Sequence, residues 1–361
     1  MSAAEERRPR VGLACSEEIR RRYVDEVDLG RLRAVADFAY APFSAPSNLD
    51  GPGPRDSAAE YGLARFAADL DALLICHGAP FVSLAVIAAA PRLSLLGDLE
   101  GDRFGDRLDL DGASARGIRV VDTTHGSSWP TAEWALGLAL IGLRNAGELF
   151  RVMIAHESSV PHAQRSGPGY EGAELAGKRV GLVGFGHIAR RLRGLLAPFG
   201  VDAIAFDPFA ARELAEAFDV AFGPLERVLE CDVVFVTVPL TPGTTGMLGA
   251  DALERLRPGT VLVNVSRGAV IDTPALIARL ARGDVIACLD VFDPEPVPLD
   301  SPIRDMRNVF LTPHIAGYTE ESRRRFFALM VDECLRHFAG LESWAGLTPA
   351  NARRRTPRTS P

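Results

Sequence analysis

The sequence predicts an α/β protein built on doubly wound parallel sheets, and three observations support this fold class. Short apolar runs rich in β-branched residues alternate with helical patterns along most of the 361 residues. Continuous apolar runs of this kind are typical of parallel strands that helices cover on both faces. A glycine-rich turn stands between one such run and a helical pattern, which is where a dinucleotide-binding turn occurs.

Composition narrows the class of protein. Hydrophobic residues make up 47% of the chain, charged residues 24%, and the formal net charge is −7. This acidic balance disfavours nucleic acid as a partner, because binding the phosphate backbone needs a basic surface. No apolar run is long enough to span a bilayer, and the charged N-terminal segment lacks the apolar core of a signal peptide. We therefore expect a cytoplasmic protein with no membrane partner.

The cysteines predict neither a disulfide framework nor a metal site. Five are scattered along the chain without a C-x-x-C pair, and each lies in or beside an apolar run. We expect buried, reduced thiols at Cys15, Cys76, Cys231, Cys288 and Cys334.

The predicted strands form two groups along the chain. The first group comprises Val11–Cys15, Ala72–Gly78 and Leu93–Gly97, and the second begins at "RVGLVGFG". A single long helix over Thr131–Phe150 is predicted between them. A final helix is expected to pack back on the first group, because one of its faces carries the apolar residues Phe327, Met330, Val331, Cys334 and Phe338.

The turn "GLVGFGHIARRL" has the features of a pyrophosphate cradle. Gly184 allows the tight turn, and Gly186 lets a phosphate approach the backbone at a helix N-terminus. Ala189 stands at the third glycine position, where alanine is tolerated because that position serves helix–strand packing. Asp207 ends the next apolar run, close to the offset of about 20 residues at which an acid accepts hydrogen bonds from the adenosine ribose. Since a carboxylate repels a 2′-phosphate, the sequence favours NAD over NADP.

Three polar residues follow later strands of the second group. Arg267, Glu295 and His314 stand at or beyond strand ends in "VNVSRG", "DPEP" and "LTPH". In open α/β sheets ligands bind outside the carboxyl ends of the strands. An arginine binds a carboxylate with two parallel hydrogen bonds, a histidine exchanges a proton near neutral pH, and a glutamate orients the imidazole. These three roles are what hydride transfer at a 2-hydroxy or 2-oxo acid requires.

Residues from Leu175 to about Gly340 resemble the D-isomer-specific 2-hydroxyacid dehydrogenases. The resemblance rests on "ELAGKRVGLVGFGHIARRL", "DVVFVTVPLTPGTTGMLG", "VLVNVSRGAVIDTPALIARL", "ACLDVFDPEP" and "VFLTPHIAG". It implies an NAD-dependent dehydrogenase of a D-2-hydroxy acid, with Arg267, Glu295 and His314 as the catalytic residues and His314 as the proton donor. It also implies that Asp290 binds the nicotinamide carboxamide. The NAD contacts that it implies are Gly184, Phe185, Gly186, His187, Ile188, Asp207, Val238, Pro239, Val265, Ser266, Arg267, Asp290, His314 and Gly317.

The resemblance also implies a domain organisation. The fold would be two Rossmann-like domains, with an NAD-binding domain at 122–317 inserted into a catalytic domain formed by 11–121 and 318–341. Proteins of this family usually pair as homodimers. Residues 1–10 and the basic segment 342–361 are expected to be disordered tails.

The first predicted domain departs from the family pattern. His77, Gly78 and Ala79 stand where the family presents backbone donors to the substrate carboxylate, which Arg267 would also bind. His77 has no acidic partner evident in sequence, so a core or rim histidine is the default. The acidic segment Gly97–Asp106 replaces a short glycine-rich loop and either faces the substrate, disfavouring an anion, or faces solvent. Trp129 either lines the pocket or packs in the domain hinge, which we favour.

Two other functions remain open from the sequence. Some relatives are corepressors that sense NAD(H), and they keep the same three residues. An enzyme of this fold acting on a non-carboxylate anion such as phosphite is also possible, although the acidic segment argues mildly against it.

Overall fold

The structure is a computed structural model that describes residues 7–48, 51–52, 55–101, 105–155 and 172–353. It divides into two compact units. Unit 1 combines Met1–Ser127 with Glu320–Pro361, and unit 2 is the continuous segment Ser128–Thr319. Each unit is built around its own parallel sheet.

Unit 1 contains a five-stranded parallel sheet in the order β2-β1-β5-β6-β7. The chain leaves β1 towards β2 on one side and reaches β5 on the other, so the topological switch point lies between β1 and β5. A two-stranded antiparallel ladder, β3 with β4, stands apart. The strands are β1 (Arg10–Cys15), β2 (Asp37–Pro42), β3 (Ser47–Asn48), β4 (Gly51–Pro52), β5 (Ala72–Ile75), β6 (Leu95–Asp98) and β7 (Arg119–Asp122).

Helices cover both faces of this sheet, which explains why its central strands are apolar throughout. One core contains Leu29, Leu32, Phe326 and Met330, and the other contains Leu63, Val86 and Ala113. The helices are α1 (Glu17–Tyr23), α2 (Glu26–Val35), α3 (Ser57–Ala67), α4 (Leu84–Ala89), α5 (Leu110–Ala115), α13 (Glu320–Phe338) and α14 (Pro349–Arg353). The predicted apolar face of the final helix α13 is buried in unit 1, as expected.

The unit boundary lies after Ser127 rather than at 121–122, and before Glu320 rather than at 317–318. Backbone and side-chain hydrogen bonds hold the extra segment in unit 1. The Asp122 amide donates to the Ala345 carbonyl at 3.0 Å. The Thr123 hydroxyl donates to the Phe326 carbonyl at 3.1 Å.

Parts of both tails that were predicted to be disordered are folded. Ala345 and Leu347 are buried, and α14 follows them. At the other end, Arg10 begins β1 and the Asp37 amide donates to the Pro9 carbonyl at 2.8 Å. Residues 1–6, 156–171 and 354–361 lie outside the described ranges.

Unit 2 contains a seven-stranded parallel sheet in the order β10-β9-β8-β11-β12-β13-β14. Its switch point lies between β8 and β11, as in dinucleotide-binding folds. The strands are β8 (Arg179–Val183), β9 (Asp202–Phe206), β10 (Ala221–Phe222), β11 (Val233–Val236), β12 (Val261–Asn264), β13 (Ile286–Leu289) and β14 (Val309–Leu311).

Two apolar cores flank this sheet, one on each face. Packing of α6 against α8, β12 and β13 closes the first, and α10, α11 and α12 close the second. The helices are α6 (Ser128–Leu143), α7 (Ala146–Ile154), α8 (His187–Leu196), α9 (Glu213–Phe218), α10 (Leu225–Leu229), α11 (Ala250–Leu253) and α12 (Thr273–Leu280).

The long helix predicted over Thr131–Phe150 is wrong, because two helices occupy this segment. α6 ends at Leu143, and Asn145 takes the left-handed conformation with φ 41° before α7 begins. Asparagine tolerates this conformation better than most residues do.

The cysteines are free and buried, as predicted. Burial raises the pKa of Cys15, Cys288 and Cys334 to about 12, so these thiols are inert. Within the described ranges, none of the helices is long and apolar enough to cross a membrane.

Candidate active site

The glycine turn of unit 2 has the geometry of a phosphate cradle. Gly184 follows β8 with φ +90°, and a Cβ there would lie 2.8 Å from the Val238 side chain. Gly186 caps the N-terminus of α8, and no atom lies within 4 Å of the position its Cβ would take. That open space exposes the first amide groups of the helix to a ligand. Phe185 and Ala189 are buried, so the alanine fills the packing role expected of it.

Asp207 is held at the mouth of this turn. It follows β9, and its Oδ2 accepts a hydrogen bond from the Phe185 amide at 2.8 Å. Its Oδ1 accepts from the amides of Phe209 and Ala210 at 2.9 and 3.1 Å. A carboxylate has about four acceptor sites, so this fixed group keeps capacity for a ribose hydroxyl.

The residues that directly follow β11 border the switch point of the unit 2 sheet. The Thr237 hydroxyl donates to the carbonyls of Val183 and Gly184 at 3.1 Å. Val238 lies against Gly184, and the Pro239 carbonyl accepts from the Thr244 hydroxyl at 2.6 Å. The contact with Gly184 places Val238 beside the cradle, and Pro239 follows Val238 in the chain.

The loop that carries Arg267 is fixed by a buried asparagine that the sequence interpretation overlooked. Asn264 Oδ1 accepts from the Ser266 amide and hydroxyl at 3.0 and 2.9 Å, and its Nδ2 donates to the Arg267 carbonyl at 3.1 Å. Val265 is buried beside it. A Cβ on the next residue, Gly268, would lie 1.8 Å from the Phe292 backbone. Only glycine permits this approach, which brings the arginine loop against the loop that leads to Glu295.

His314 and Glu295 form a hydrogen-bonded pair. His314 Nδ1 lies 2.8 Å from Glu295 Oε1, and both side chains are 36% exposed. An ionised carboxylate only accepts hydrogen bonds, so Nδ1 carries a proton and Nε2 is the ring nitrogen left for a ligand. The pair is therefore oriented for proton exchange at Nε2.

Asp290 positions the histidine loop. Its carboxylate is fully buried, and it accepts hydrogen bonds from the Thr312 hydroxyl at 2.6 Å and from the amides of Ile315 and Ala316 at 3.0 and 2.8 Å. The His314 amide donates to the Asp290 carbonyl at 2.8 Å. Thr312 was not predicted, although it stands in the segment "LTPH" that was singled out. Gly317 ends this loop.

In unit 1 the predicted substrate residues lie at the switch point between β1 and β5. The His77 carbonyl accepts from the Ser16 amide at 2.9 Å, and Gly78 lies against the same amide. The Ala79 amide donates to the Cys76 carbonyl at 3.0 Å, so this donor is already used within the turn.

His77 has an acidic partner that the sequence did not reveal. Its Nε2 lies 3.2 Å from Glu100 Oε2, and its Nδ1 lies 3.1 Å from Arg107 Nη2. The acidic segment therefore turns partly inward, since Glu100 and Asp98 both belong to it. Residues 102–104 lie outside the described ranges.

Trp129 stands at the start of α6, in unit 2. The guanidinium of Arg191 lies over its ring, and Arg191 Nε donates to the Ser128 hydroxyl at 2.7 Å. This contact anchors α8 to α6.

The fold and the strand-end residues define a dinucleotide-binding domain with a histidine–carboxylate pair at the same sheet edge. Residues 136–316 match the family profile described as "D-isomer specific 2-hydroxyacid dehydrogenase, NAD binding domain". The chain belongs to this family, and NAD is the cofactor of the matched domain.

Relatives support the same assignment. A D-3-phosphoglycerate dehydrogenase from Mycobacterium leprae is 35% identical over 262 residues, which are 71% of this chain and 47% of the relative. The human D-3-phosphoglycerate dehydrogenase is 34% identical over 257 residues, 70% of this chain and 46% of the relative. The chain therefore spans about half the length of these curated relatives. A phosphoglycerate oxidoreductase structure from Rhizobium etli has a TM-score of 0.74 at 25% identity, covering 94% of this chain and 98% of that one.

Proposed function

We propose that this protein is an NAD-dependent oxidoreductase that interconverts a D-2-hydroxy acid and its 2-oxo acid. The observation that carries the proposal is the pair His314–Glu295, 2.8 Å apart, on the same sheet edge as the glycine turn. NAD supplies or accepts the hydride when bound.

Each catalytic residue has a distinct role in this proposal. His314 Nε2 gives a proton to the carbonyl oxygen during reduction and takes it back during oxidation. Glu295 fixes the ring tautomer through Nδ1 and stabilises the imidazolium that forms after protonation in the oxidative direction. Arg267 binds the substrate carboxylate and polarises the carbonyl with its planar guanidinium.

The cofactor-binding residues fit NAD. Gly184, Phe185, Gly186, His187 and Ile188 form the turn and the first residues of α8, whose amide groups favour a pyrophosphate. We propose further contacts with NAD at the strand ends: Asp207 with the ribose, and Val238, Pro239, Val265, Ser266, Arg267, Asp290, His314 and Gly317 with the remainder of the cofactor.

We propose that unit 1 is the substrate-binding domain. Its switch-point residues, His77 and Gly78, follow β5 at the sheet edge where open α/β sheets bind ligands. In this arrangement the NAD-binding unit is inserted into the substrate-binding one, because unit 1 is formed from both ends of the chain.

Removing the imidazole of His314 tests the proposal. His314→Ala should weaken NADH binding only slightly, because His314 is one of many proposed contacts, and should lose turnover by about 10²–10⁴-fold, the contribution of a general acid. NADH consumption would be followed with glyoxylate, pyruvate and hydroxypyruvate, and NADH affinity by fluorescence titration. His337→Asn, which removes an imidazole from α13 in unit 1, is the control. Undiminished turnover in His314→Ala would refute the assignment, whereas NADH binding without turnover in the wild type would favour a sensing role.

We also propose that the protein is a homodimer, which an apolar patch on α7 supports. Phe150, Met153 and Ile154 are 62%, 66% and 59% exposed in this helix. Clustered exposed apolar side chains are typical of interaction surfaces. Light scattering would give the mass, and a monomer at micromolar concentration would refute the proposal.

We propose the cytoplasm as the compartment, because five buried free thiols are typical of proteins in a reducing environment. Cell fractionation would test this.

A further inference from the structure

Unit 2 contains a second concave site, distinct from the glycine turn and from the His314–Glu295 pair. A cavity of about 300 Å³ lies between α12 and the proline-rich loop 292–303, which follows β13. An apolar cavity of about 150 Å³ is large enough to bind benzene. This cavity is about twice that size, so it has room for a molecule of two fused rings.

The inner wall of the cavity is apolar. Its polar side chains are already hydrogen-bonded within the protein. Asn264 Oδ1 accepts two hydrogen bonds from Ser266, and the Thr273 hydroxyl donates to the Asp293 carbonyl at 2.9 Å. A ligand therefore meets mainly hydrocarbon, as in most small-molecule sites. The buried apolar residues that line the wall are Ile271, Leu276, Leu289, Val291 and Ile303.

The outer wall of the cavity is exposed and acidic. Asp293 and Asp300 line it and are both exposed, so the cavity communicates with solvent. Arg304 donates to the carbonyls of Val297 and Pro298 and thereby holds this wall in place. The apolar interior disfavours any charged group, and the two aspartates add repulsion for an anion. The class of ligand that fits is a small, uncharged, apolar molecule.

The cavity walls belong to the two loops that carry Arg267 and Glu295. Gly268, which directly follows Arg267, lines the cavity and lies against the Phe292 backbone. Pro294, which directly precedes Glu295, lines it from the other loop. An occupant would therefore contact both loops at once.

The cavity is present while the histidine pair is formed. Glu295 Oε1 lies 2.8 Å from His314 Nδ1 in the same arrangement of the loop 292–303 that leaves the cavity open. A ligand that fits the cavity binds this arrangement better than one in which the loop has moved, and so favours it. Occupancy should then strengthen the hold of Glu295 on His314.

We propose that this cavity is an effector site for a small, uncharged, apolar molecule, whose binding stabilises the loop arrangement in which Glu295 holds His314. An increase in turnover on binding would rest on the proposed function. Binding itself and the effect on the His314 ring do not depend on that function.

Calorimetry with indole tests the binding step. The full chain is first saturated with NADH, so that the dinucleotide site is filled. We expect indole to bind with a Kd of about 0.1–1 mM, as its size allows. Indole-3-acetate, which adds a carboxylate to the same rings, should bind about 10-fold more weakly or less. No binding of indole, or equal binding of both probes, would overturn the inference.

Two substitutions that fill the cavity from opposite walls locate the bound probe. Ile271→Phe and Val297→Phe should each weaken indole binding by about 10-fold, because the added ring occupies the space. Ile277→Phe is the matched control, since Ile277 lies on α12, is half-buried and does not line the cavity. Unchanged affinity in both cavity variants, or an equal loss in the control, would contradict the assignment.

A crystal of the wild type with 5-bromoindole gives the position without any substitution. The anomalous signal of bromine should lie between α12 and the loop 292–303. A signal only elsewhere on the protein would overturn the proposed site.

The response of His314 tests the coupling without turnover. In ¹⁵N-labelled protein, the Nδ1 resonance of His314 is identified by its loss in His314→Ala. Indole should shift this resonance and slow the exchange of the Nδ1 proton with water. Saturation with indole and no change at His314 would refute the coupling. Binding and a His314 response in a protein without turnover would support this inference while refuting the proposed function.

Discussion

His314 combines an unusual backbone with a fixed ring orientation. Its φ is 52°, one of three positive values among the described non-glycine residues. Such conformations persist when the surroundings hold them, and they concentrate at functional sites. Here the Asp290 carbonyl holds the His314 amide, and the Asp290 carboxylate holds the loop on both sides. The histidine is thereby positioned before any ligand binds.

The sequence singled out the residues to which the proposed function assigns the chemistry, but not the contacts that hold them. Arg267 and His314 were singled out because each interrupts the pattern just after an apolar run. Asn264 was missed although its partners, Ser266 and Arg267, lie within three residues of it in the chain. Thr312 was missed because its partner, Asp290, follows the neighbouring strand. The His77–Glu100 pair was missed for the same reason, since the two residues follow different strands and meet only in the folded sheet.

Asp98 makes the stability of unit 1 depend on pH. Burial, the largest effect, and the charge of Asp122 raise the pKa of Asp98, whereas the charge of Arg107 lowers it. The net result is a pKa of about 6. Because the folded-state pKa is raised, the stabilising effect of the protonated group is complete below about pH 4 and is lost as the pH rises through about 6.

Asp98→Asn should remove this dependence. The variant should gain about 1–3 kcal/mol relative to the wild type at pH 7.5, and the gain should vanish near pH 4. Urea unfolding at several pH values measures it. A gain that is the same at both pH values would show that ionisation of Asp98 is not the cause.

At the scale of elements, the alternation of strands and helices followed from the sequence because parallel strands buried on both faces must be apolar. The segment Thr131–Phe150 was mispredicted because its apolar pattern resumes after Arg144 and Asn145, and Gly142 and Gly147, which flank the break, were not taken as the end of a helix. In the structure Gly147 of α7 lies against Phe310.

The contact between the Arg267 loop and the Glu295 loop depends on Gly268. Gly268→Ala would place a Cβ 1.8 Å from the Phe292 backbone, so one loop must move. We expect a loss of stability of about 1–3 kcal/mol and a larger loss of turnover than of NADH affinity. Thermal unfolding and steady-state kinetics measure the two effects.

Gly194→Ala is the matched control for this substitution. Gly194 is exposed in α8 and no atom lies within 4 Å of its Cβ position. Alanine there should stabilise the protein by about 0.5–1 kcal/mol and leave turnover unchanged. Similar behaviour of the two variants would contradict the role given to Gly268.

At the scale of the whole molecule, cofactor selectivity should follow from Asp207. NADH at 100 times its Kd should stabilise the protein by about 2.7 kcal/mol through mass action. NADPH at the same concentration should have little effect, because the Asp207 carboxylate repels the 2′-phosphate of NADPH. Thermal shift measurements with both nucleotides test this. Equal shifts would contradict the assignment of Asp207 to the ribose.

In the proposed function, unit 2 directs hydride transfer to C2 of a 2-oxo acid and His314 supplies the proton. A reaction of hydroxypyruvate with NADH deuterated at both C4 positions, followed by mass and chiral analysis of the product, tests the hydride transfer. We expect D-glycerate with one deuterium at C2. An L product, or glycerate without deuterium, would contradict it.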